Sequence, residues 1–470
     1  MAEQDLRTGG SGGVLNASDT GAGKTACTCE VLNKLDVNTA LIIVPLNTMD
    51  GWTNTLQERT TLPVYTINST AKGKGNFTRL AQGDRGAYLV GREFMALSGS
   101  NLKPRLKNKQ DVEENGAEPI FTKGRKALWA WAKVNKVLDV AVLDEGHSMS
   151  NRWGKGYAVL RELKPLALKV YLSATPFRSN FARAWAPTRW LWPDVIDRSQ
   201  ARWGAEWALY EYNAHKSGPV KMQISGEKNP GAFVKSLPCY VRLTYDKKPV
   251  ELHRIKSSLT PEQANQYRQM LEKSFTWLDE NPLVAELPIV KLTRLRQMLL
   301  GEVTFNEDDE IDFDPHCASD KIRQCIALAE RHNGESIMFY CDSKRFSKVL
   351  AQRLTDVGQP SVAWNGDLSK KRRAEVKAKF VAGDPTVKHL CAVPAAIGEG
   401  SDQLQHRSHI ETWVNKPFDS VIVQQTEGRL NRRGQPHTRI IRYELIVPGT
   451  VDEDDIARNI HKTRSMLGSL

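Results

Sequence analysis

The sequence predicts an α/β protein with two parallel sheets, each flanked by helices. Short apolar runs alternate with helical stretches over residues 14–176, and the same alternation begins again after residue 316. At 470 residues the chain is also too long for one hydrophobic core. We therefore expect a first lobe over residues 1–258, a helical linker or protrusion over 259–315, and a second lobe over 316–470.

The first lobe is predicted from short apolar runs that end beside glycine, proline or acidic residues. These runs cover residues 14–17, 39–44, 87–91, 138–143 and 168–173. Runs without polar alternation are typical of parallel strands that are buried on both faces. Two stretches interrupt the pattern. We interpret residues 101–126 as a charged surface insertion and residues 177–245 as a tryptophan-rich insertion.

The rest of the chain is predicted to contain a linker and a second set of alternating elements. Residues 250–257 resemble a strand, and residues 261–278 and 287–300 have helical spacing. An acidic linker is expected over residues 302–314. In the second lobe the predicted helices cover residues 317–332, 344–356, 369–381 and 421–431. The predicted strands cover residues 336–341, 361–364, 388–393, 409–414 and 439–447.

Composition indicates a soluble globular protein with a basic surface. Hydrophobic residues make up 40% of the chain and charged residues 26%. No apolar run approaches the ~18 residues of a membrane span. The N-terminus has no apolar signal core, so we expect a protein that is either cytoplasmic (nucleoid-associated) or nuclear, and that is not secreted. Seven cysteines without a C-x-x-C pair indicate reduced thiols and no metal cluster.

The formal net charge of +12 favours a polyanionic partner. Nucleic acid is the commonest partner of this kind. A basic surface without a specific partner is the alternative interpretation.

A glycine-rich turn carries the clearest chemical signal in the first lobe. Residues 18–25 read S-D-T-G-A-G-K-T, between a predicted strand and a predicted helix. In such a turn, backbone N–H groups and the helix dipole favour a bound phosphate. Lys24 would reach the β- and γ-phosphates, and the Thr25 hydroxyl would bind Mg²⁺. A glycine turn before an ordinary helix is the alternative.

An acidic pair follows the strand predicted over residues 138–143. An acid in the position of Asp144 can hold Mg²⁺, and a glutamate in the position of Glu145 can orient or deprotonate water. Two solvated acids at a strand end are the alternative. Ligands of parallel sheets lie at the carboxyl ends of the strands. We therefore expect Lys24, Asp144 and Ser173 at one edge of the sheet.

A second constellation lies in residues 424–435, which contain three arginines. Arg429 and Arg432 are three residues apart, so we expect them on one helix face. Two guanidinium groups suit a phosphoryl group on which negative charge develops. An arginine finger from one lobe onto a nucleotide held by the other would couple closure to hydrolysis. A solvated basic helix face is the alternative.

Together these segments resemble the superfamily-two helicases and translocases, and in particular the Swi/Snf branch of double-stranded-DNA translocases. The segments that resemble motifs I, Ia, II and III are residues 20–25, 41–45 with Trp52, 144–147 and 172–176. Those that resemble motifs IV, V and VI are residues 337–341, 398–402 and 425–435. Residues 259–267 and the Trp413, Pro417 and Phe418 segment also match this branch. The resemblance covers about residues 12–450 and implies two RecA-like P-loop NTPase lobes.

The resemblance implies that ATP and Mg²⁺ bind between the lobes. The residues implied to hold the triphosphate are Thr20, Gly21, Ala22, Gly23, Lys24 and Thr25. Asp144 would hold Mg²⁺, Glu145 would activate water, and Asp402 would contact the ribose. The residues implied to act from the second lobe are Gln425, Arg429 and Arg432. The residues implied to couple nucleotide state to DNA are Ser173, Ala174, Thr175 and Gly400.

Duplex DNA is the expected partner, with RNA as an alternative, and the expected motor is a monomer. Contacts to phosphates would make binding independent of sequence and sensitive to salt. The candidate contacts are Arg92, Lys370, Lys371, Arg372 and Arg373, for which a solvated face is the alternative. Two other functions stay open. One is a strand-separating DNA or RNA helicase, and the other is a nucleotide-gated binding scaffold with slow hydrolysis.

The sequence departs from the family pattern in two places. Gly146 stands in motif II where alanine is commoner. The segment before Val14 is short for the glutamine that usually reads adenine, and Gln4 is the candidate for that role. Selectivity for ATP therefore rests on the resemblance, and an N-terminally truncated chain is an alternative.

Overall fold

In the computed structural model the chain forms two compact units, which divide between Tyr245 and Asp246. The described residues are 12–98, 131–177, 181–212, 222–273, 275–278, 281–284, 288–305, 311–314, 316, 319–397 and 402–453. The insertion expected over residues 101–126 lies outside this part of the chain. No helix among the described residues is long and apolar enough to cross a bilayer.

The first unit is built on a parallel sheet. Its strands are β1 (Gly12–Asn16), β2 (Thr39–Val44), β3 (Val64–Ile67), β4 (Gly86–Gly91), β5 (Val140–Asp144), β6 (Leu168–Leu172), β7 (Ala208–Tyr212), β8 (Met222–Glu227) and β9 (Tyr240–Val241). Seven of them form one sheet in the order β3-β4-β2-β5-β6-β1-β9, and all its pairs are parallel. Strands β7 and β8 form a separate antiparallel pair.

Helices connect these strands. They are α1 (Lys24–Lys34), α2 (Met49–Arg59), α3 (Ala71–Gln82), α4 (Arg92–Ser98), α5 (Lys155–Leu160), α6 (Trp185–Leu191), α7 (Gln200–Trp207) and α8 (Ala232–Ser236). Burial on both faces explains why the sequence of strand β2 is an unbroken apolar run. Leu41 and Ile43 pack in one buried cluster, and Ala40 and Ile42 pack in another. The sheet is therefore covered on both faces, as the sequence predicts.

The described part of the tryptophan-rich stretch packs onto the first sheet. Trp185 and Trp203 belong to the same buried cluster as Leu15 of β1. The Trp203 ring lies 5.1 Å from Phe181 and 5.3 Å from Phe233, measured between centroids. Aromatic pairs at these separations add to the stabilisation from buried area. These tryptophans are therefore anchors of the first core.

The second unit is built on another parallel sheet. Its strands are β10 (Val250–Lys256), β11 (Phe275–Leu278), β12 (Asn281–Val284), β13 (Val303–Phe305), β14 (Ile311–Phe313), β15 (Ile337–Tyr340), β16 (Ser361–Trp364), β17 (His389–Ala392), β18 (Ile410–Trp413) and β19 (Ile440–Ile446). Its helices are α9 (Pro261–Lys273), α10 (Pro288–Met298), α11 (Asp320–Arg331), α12 (Lys344–Asp356), α13 (Lys370–Ala382), α14 (Pro394–Ile397) and α15 (Ser420–Glu427).

The second sheet has the order β10-β19-β18-β15-β17-β16, and all its pairs are parallel. Ile337 and Phe339 of β15 pack in one cluster, and Met338 and Tyr340 pack in another. This sheet too is covered on both faces. The fold class predicted from the sequence, two α/β lobes with parallel sheets, is confirmed.

The structure differs from the sequence-based boundaries in four places. The sequence assigned residues 250–257 to the first lobe, but β10 pairs with β19 over seven residues of the second sheet. The helix expected over residues 261–278 ends at Lys273, and β11 follows it. The acidic linker over residues 302–314 contains the antiparallel pair β13–β14. Helix α15 ends at Glu427, four residues before the predicted end.

Candidate nucleotide site

The carboxyl ends of three neighbouring strands bring the first group of predicted residues together. Leu172 at the end of β6 pairs with Asn16 of β1 on one side and with Asp144 of β5 on the other. Adjacent strands lie about 4.8 Å apart. The glycine-rich loop after β1, the acidic pair after β5 and Ser173 after β6 therefore begin at one edge of the sheet.

The loop between β1 and α1 turns at two glycines. Gly21 has φ 87° and Gly23 has φ 85°, a left-handed conformation that glycine adopts at little cost. The N–H of Ala22 donates to the Asp19 carbonyl at 3.1 Å. Helix α1 starts at Lys24, and its first N–H bond runs from Cys27 to Gly23 at 2.9 Å. The preceding N–H groups point out of the helix end, as an anion cradle requires.

The Lys24 ammonium lies over this loop. Its Nζ donates to the carbonyl oxygens of Ser18, at 2.8 Å, and Asp19, at 3.1 Å. A triphosphate in the cradle would replace these bonds to neutral carbonyl oxygens with bonds to anionic phosphate oxygens, which are stronger. The position of Lys24 thus agrees with the predicted phosphate contact. Thr20, Ala22 and Thr25 belong to the same loop and helix start.

Asp144 is held at the end of β5 by two hydrogen bonds. Its Oδ2 accepts from the indole N–H of Trp52 in α2 at 2.8 Å, and its Oδ1 accepts from the Glu145 N–H at 3.0 Å. Burial, and then the charge of Glu145, raise the pKa of Asp144 to about 6, against the lowering effects of the Trp52 hydrogen bond and the Lys24 charge. A buried carboxylate with this pKa lacks compensating positive charge.

A divalent cation would supply that charge. Carboxylate and hydroxyl oxygens are the donors that Mg²⁺ prefers, and Asp144 and Thr25 offer one of each. The residues of this edge therefore fit Mg²⁺, with Asp144 and Thr25 as the side chains that would hold it.

Glu145 adopts an uncommon backbone conformation for a residue with a side chain, with φ 46° and ψ 46°. Its Oε2 lies 3.2 Å from Nδ1 of His147, and that nitrogen lies 3.0 Å from Oγ of Ser173. The Ser173 hydroxyl also accepts from the N–H of Thr175 at 3.2 Å. Strained conformations are retained where surrounding contacts fix them, often at functional sites. His147 thus links the acidic pair to the Ser173, Ala174 and Thr175 turn.

Gly146 has a packing reason to be glycine. A Cβ atom at this position would lie 2.4–2.8 Å from three ring atoms of Tyr171. Tyr171 is itself fixed, because its hydroxyl donates to the Pro176 carbonyl at 3.1 Å. This ring explains why motif II departs here from the alanine that is common in the family it resembles.

In the second unit, one carboxylate brings the two predicted arginines together. Oδ1 of Asp402 lies 3.3 Å from Nη1 of Arg429 and 2.6 Å from Nη1 of Arg432. The shared helix face predicted for the arginines is wrong, because α15 ends at Glu427 and both residues lie in the turns that follow. Gln425 is buried within α15. Gly400 lies outside the described residues, and the ribose contact of Asp402 stays a prediction.

The sequence analysis missed a buried charge network behind the arginines. Arg442 of β19 contacts the fully buried Glu411 of β18 through Nε, and its Nη1 lies 2.8 Å from Oε1 of Glu427. Lys416 lies 3.8 Å from Glu427 and 2.5 Å from Glu444. The network ties the end of α15 to two central strands, two residues before Arg429. The sequence signal that could have predicted this network is the presence of charged residues inside otherwise apolar strands.

The candidate nucleic-acid residues differ in their surroundings. Lys371 is exposed, whereas Nη1 of Arg372 lies 3.2 Å from Glu375, and Nη2 of Arg373 donates to the Asn365 carbonyl at 3.1 Å. Nε of Arg92 lies 2.9 Å from Glu93. The Lys370 side chain lies outside the described part. Exposed ion pairs contribute little to stability, so these side chains could exchange their present partners for DNA phosphates. The residues therefore stay candidates for nucleic-acid contacts.

Comparisons with known proteins give one family. Residues 4–280, more than half of the chain, match the family described as SNF2-related domain. No curated protein sequence matches the chain. The chain is similar to a solved structure, the Sulfolobus solfataricus SWI2/SNF2 ATPase core in complex with dsDNA, at 17% identity over 100% of this chain and 91% of that chain. The TM-score of this match is 0.36.

The Trp52 hydrogen bond gives a testable expectation. Trp52→Phe keeps an aromatic ring but removes the N–H that stabilises the Asp144 carboxylate, so we expect Mg²⁺ affinity to fall about tenfold. Isothermal titration of the nucleotide-bound protein with Mg²⁺ measures this. Trp203→Phe is the matched control, because Trp203 is a buried indole of the same unit and has no described hydrogen-bond partner. An unchanged Mg²⁺ affinity in Trp52→Phe would show that the bond does not prepare the site.

Proposed function

Because the chain belongs to the SNF2-related family of superfamily-two helicases and translocases, we propose that it hydrolyses ATP and uses the energy to move along duplex DNA. The observation that supports this most is the shared edge of β1, β5 and β6. The glycine-rich loop, the acidic pair and Ser173 follow the ends of these neighbouring strands. Because these three strands are adjacent in the sheet, the segments that follow them can reach one bound ligand.

The residues of the chain divide the chemistry of hydrolysis among them. Lys24 and the loop N–H groups would bind the β- and γ-phosphates and offset their charge. Glu145, oriented by His147, would accept a proton from the attacking water. Mg²⁺ held by Asp144 and Thr25 would add charge stabilisation on the phosphate oxygens.

The arginines of the second unit would complete the site. Arg429 and Arg432 both contact Asp402, so their guanidinium groups already point to one anionic position. In the loose transition state of phosphoryl transfer, negative charge develops on the leaving oxygen and is spread over the three equatorial oxygens of the γ-phosphoryl group. Two arginines that bind it therefore lower the barrier rather than the ground state.

The proposal of duplex DNA as the track rests on charge and on the Swi/Snf resemblance. The net charge of +12 suits a polyanion, and the candidate residues at the start of α13 would contact phosphates rather than bases. Binding would then be independent of sequence and would weaken as salt increases. ATP as the nucleotide likewise rests on the resemblance.

We expect ATP turnover to be stimulated by duplex DNA and to fall at least about 100-fold in Lys24→Ala and in Glu145→Gln, since each change removes a group that acts in the transition state. Steady-state phosphate release at saturating DNA measures this. Lys34→Ala and Glu30→Gln, which change exposed charges of the same helix α1, are the controls. Turnover that survives both site changes would show that the assigned site is wrong.

Translocation without strand separation gives a second expectation. A motor that tracks duplex DNA displaces a third strand from a triplex, in an ATP-dependent way, while it leaves a forked duplex intact. Parallel triplex-displacement and fork-unwinding assays, with Lys24→Ala as the inactive reference, distinguish the two activities. Fork unwinding without triplex displacement would favour a strand-separating helicase. ATP turnover that DNA does not change would favour a nucleotide-gated scaffold.

A further inference from the structure

The chain that leaves the first unit is bonded directly to the glycine-rich loop. The Leu243 N–H donates to Oγ of the buried Ser18 at 2.9 Å, and the Leu243 carbonyl accepts from the Asp19 N–H at 3.0 Å. These bonds continue the ladder between β1 and β9, in which the Ala17 N–H donates to the Val241 carbonyl at 2.7 Å. Leu243 is therefore fixed to the loop that carries Lys24.

The same chain is bonded to the arginine segment where it enters the second unit. The Lys248 N–H donates to Oδ1 of Asn431 at 2.9 Å, and the Lys248 carbonyl accepts from Nδ2 of Asn431 at 2.8 Å. Asn431 is only 7% exposed and lies between Arg429 and Arg432. One amide side chain thus satisfies both the N–H and the carbonyl of Lys248. These two hydrogen bonds fix the Lys248 backbone relative to Asn431.

Only four residues, 244–247, separate the anchors Leu243 and Lys248. Residues 243–248, the connector, can span at most about 18 Å when fully extended. The boundary between the units falls inside the connector, after Tyr245. Asp246 and Lys247 in its middle are exposed. The covalent chain therefore keeps the two anchors, one bonded to the glycine-rich loop and the other to the arginine segment, within about 18 Å of each other.

We propose that the connector is a strap that sets the position of Arg429 and Arg432 relative to the phosphate loop, with Ser18 and Asn431 as the positioning residues at its ends. The proposal rests on the proposed function, because it gives the arginines a role in hydrolysis. A correctly placed group contributes far more to a rate than one that only stays nearby. A shift of the loop on phosphate binding would be transmitted through Ser18 and Leu243 to Asn431.

A loose tether would behave differently when it is lengthened. Effective concentration falls with roughly the −3/2 power of linker length, so two added residues in a loose tether change it less than about twofold. A strap that fixes geometry would lose its function after the same insertion, because two added residues lengthen the connector by up to about 7 Å. The size of the effect separates the two cases.

The test inserts Gly-Ser between Asp246 and Lys247 in the full chain. We expect kcat with saturating ATP and duplex DNA to fall at least about tenfold, while the affinity for a fluorescent ATP analogue stays within about twofold of the unmodified protein. The control is the same insertion between Val357 and Gly358, two exposed residues of the second unit. A fall in kcat of less than about twofold, equal to that of the control, would overturn the strap.

Asn431→Asp tests the anchor itself. The substitution keeps the acceptor for the Lys248 N–H but removes the donor to the Lys248 carbonyl. We expect it to lower kcat in the unmodified chain and to have little further effect in the chain with the insertion, because both changes release the same constraint. Additive effects would show that Asn431 acts locally and would contradict the strap. Absence of DNA-stimulated turnover in the unmodified protein would instead overturn the proposed function, and the strap with it.

Discussion

The pairing of Leu172 with both Asn16 and Asp144 is the constraint on which the first half of the site depends. Parallel strands must all end at the same edge, so a residue that follows a strand is delivered there with little freedom. The glycines at φ near 86° then turn the chain back into α1, and the acids follow β5 directly. Local sequence and sheet register thus place the residues of the glycine-rich loop and the acidic pair at one edge of the sheet.

Electrostatics follows from this placement. Burial leaves the Asp144 carboxylate short of positive charge, with a pKa of about 6, while Lys24 is held by backbone carbonyls. In the second unit, the Asp402 carboxylate forms ion pairs with Arg429 and Arg432. Each unit therefore holds its charged groups in place through its own contacts. A bound triphosphate would replace the carbonyl oxygens at Lys24 and the Asp402 carboxylate at the arginines, so these cations already surround positions that suit anionic oxygens.

The sequence was sufficient where structure is decided locally. Buried strands such as β2 are apolar throughout, and the S-D-T-G-A-G-K-T turn is contiguous, so both were predictable. Features that depend on residues distant in the sequence could not be predicted in this way. Strand β10 alternates in exposure and joins the second sheet only through β19, and the strands 302–314 were hidden by their acidic composition. The bonds of Asn431 with Lys248 join residues 183 apart in sequence, for which one sequence offers no signal.

The central claim is that the arginines of the second unit complete a nucleotide site begun by the first. The affinity for ADP with and without aluminium fluoride, a mimic of the transferring phosphoryl group, tests it in the unmodified protein and in Arg429→Ala, both with duplex DNA and Mg²⁺. We expect aluminium fluoride to tighten binding at least about 100-fold in the unmodified protein and less than about threefold in Arg429→Ala, with ADP affinity alone nearly equal. Full tightening in Arg429→Ala would contradict the claim.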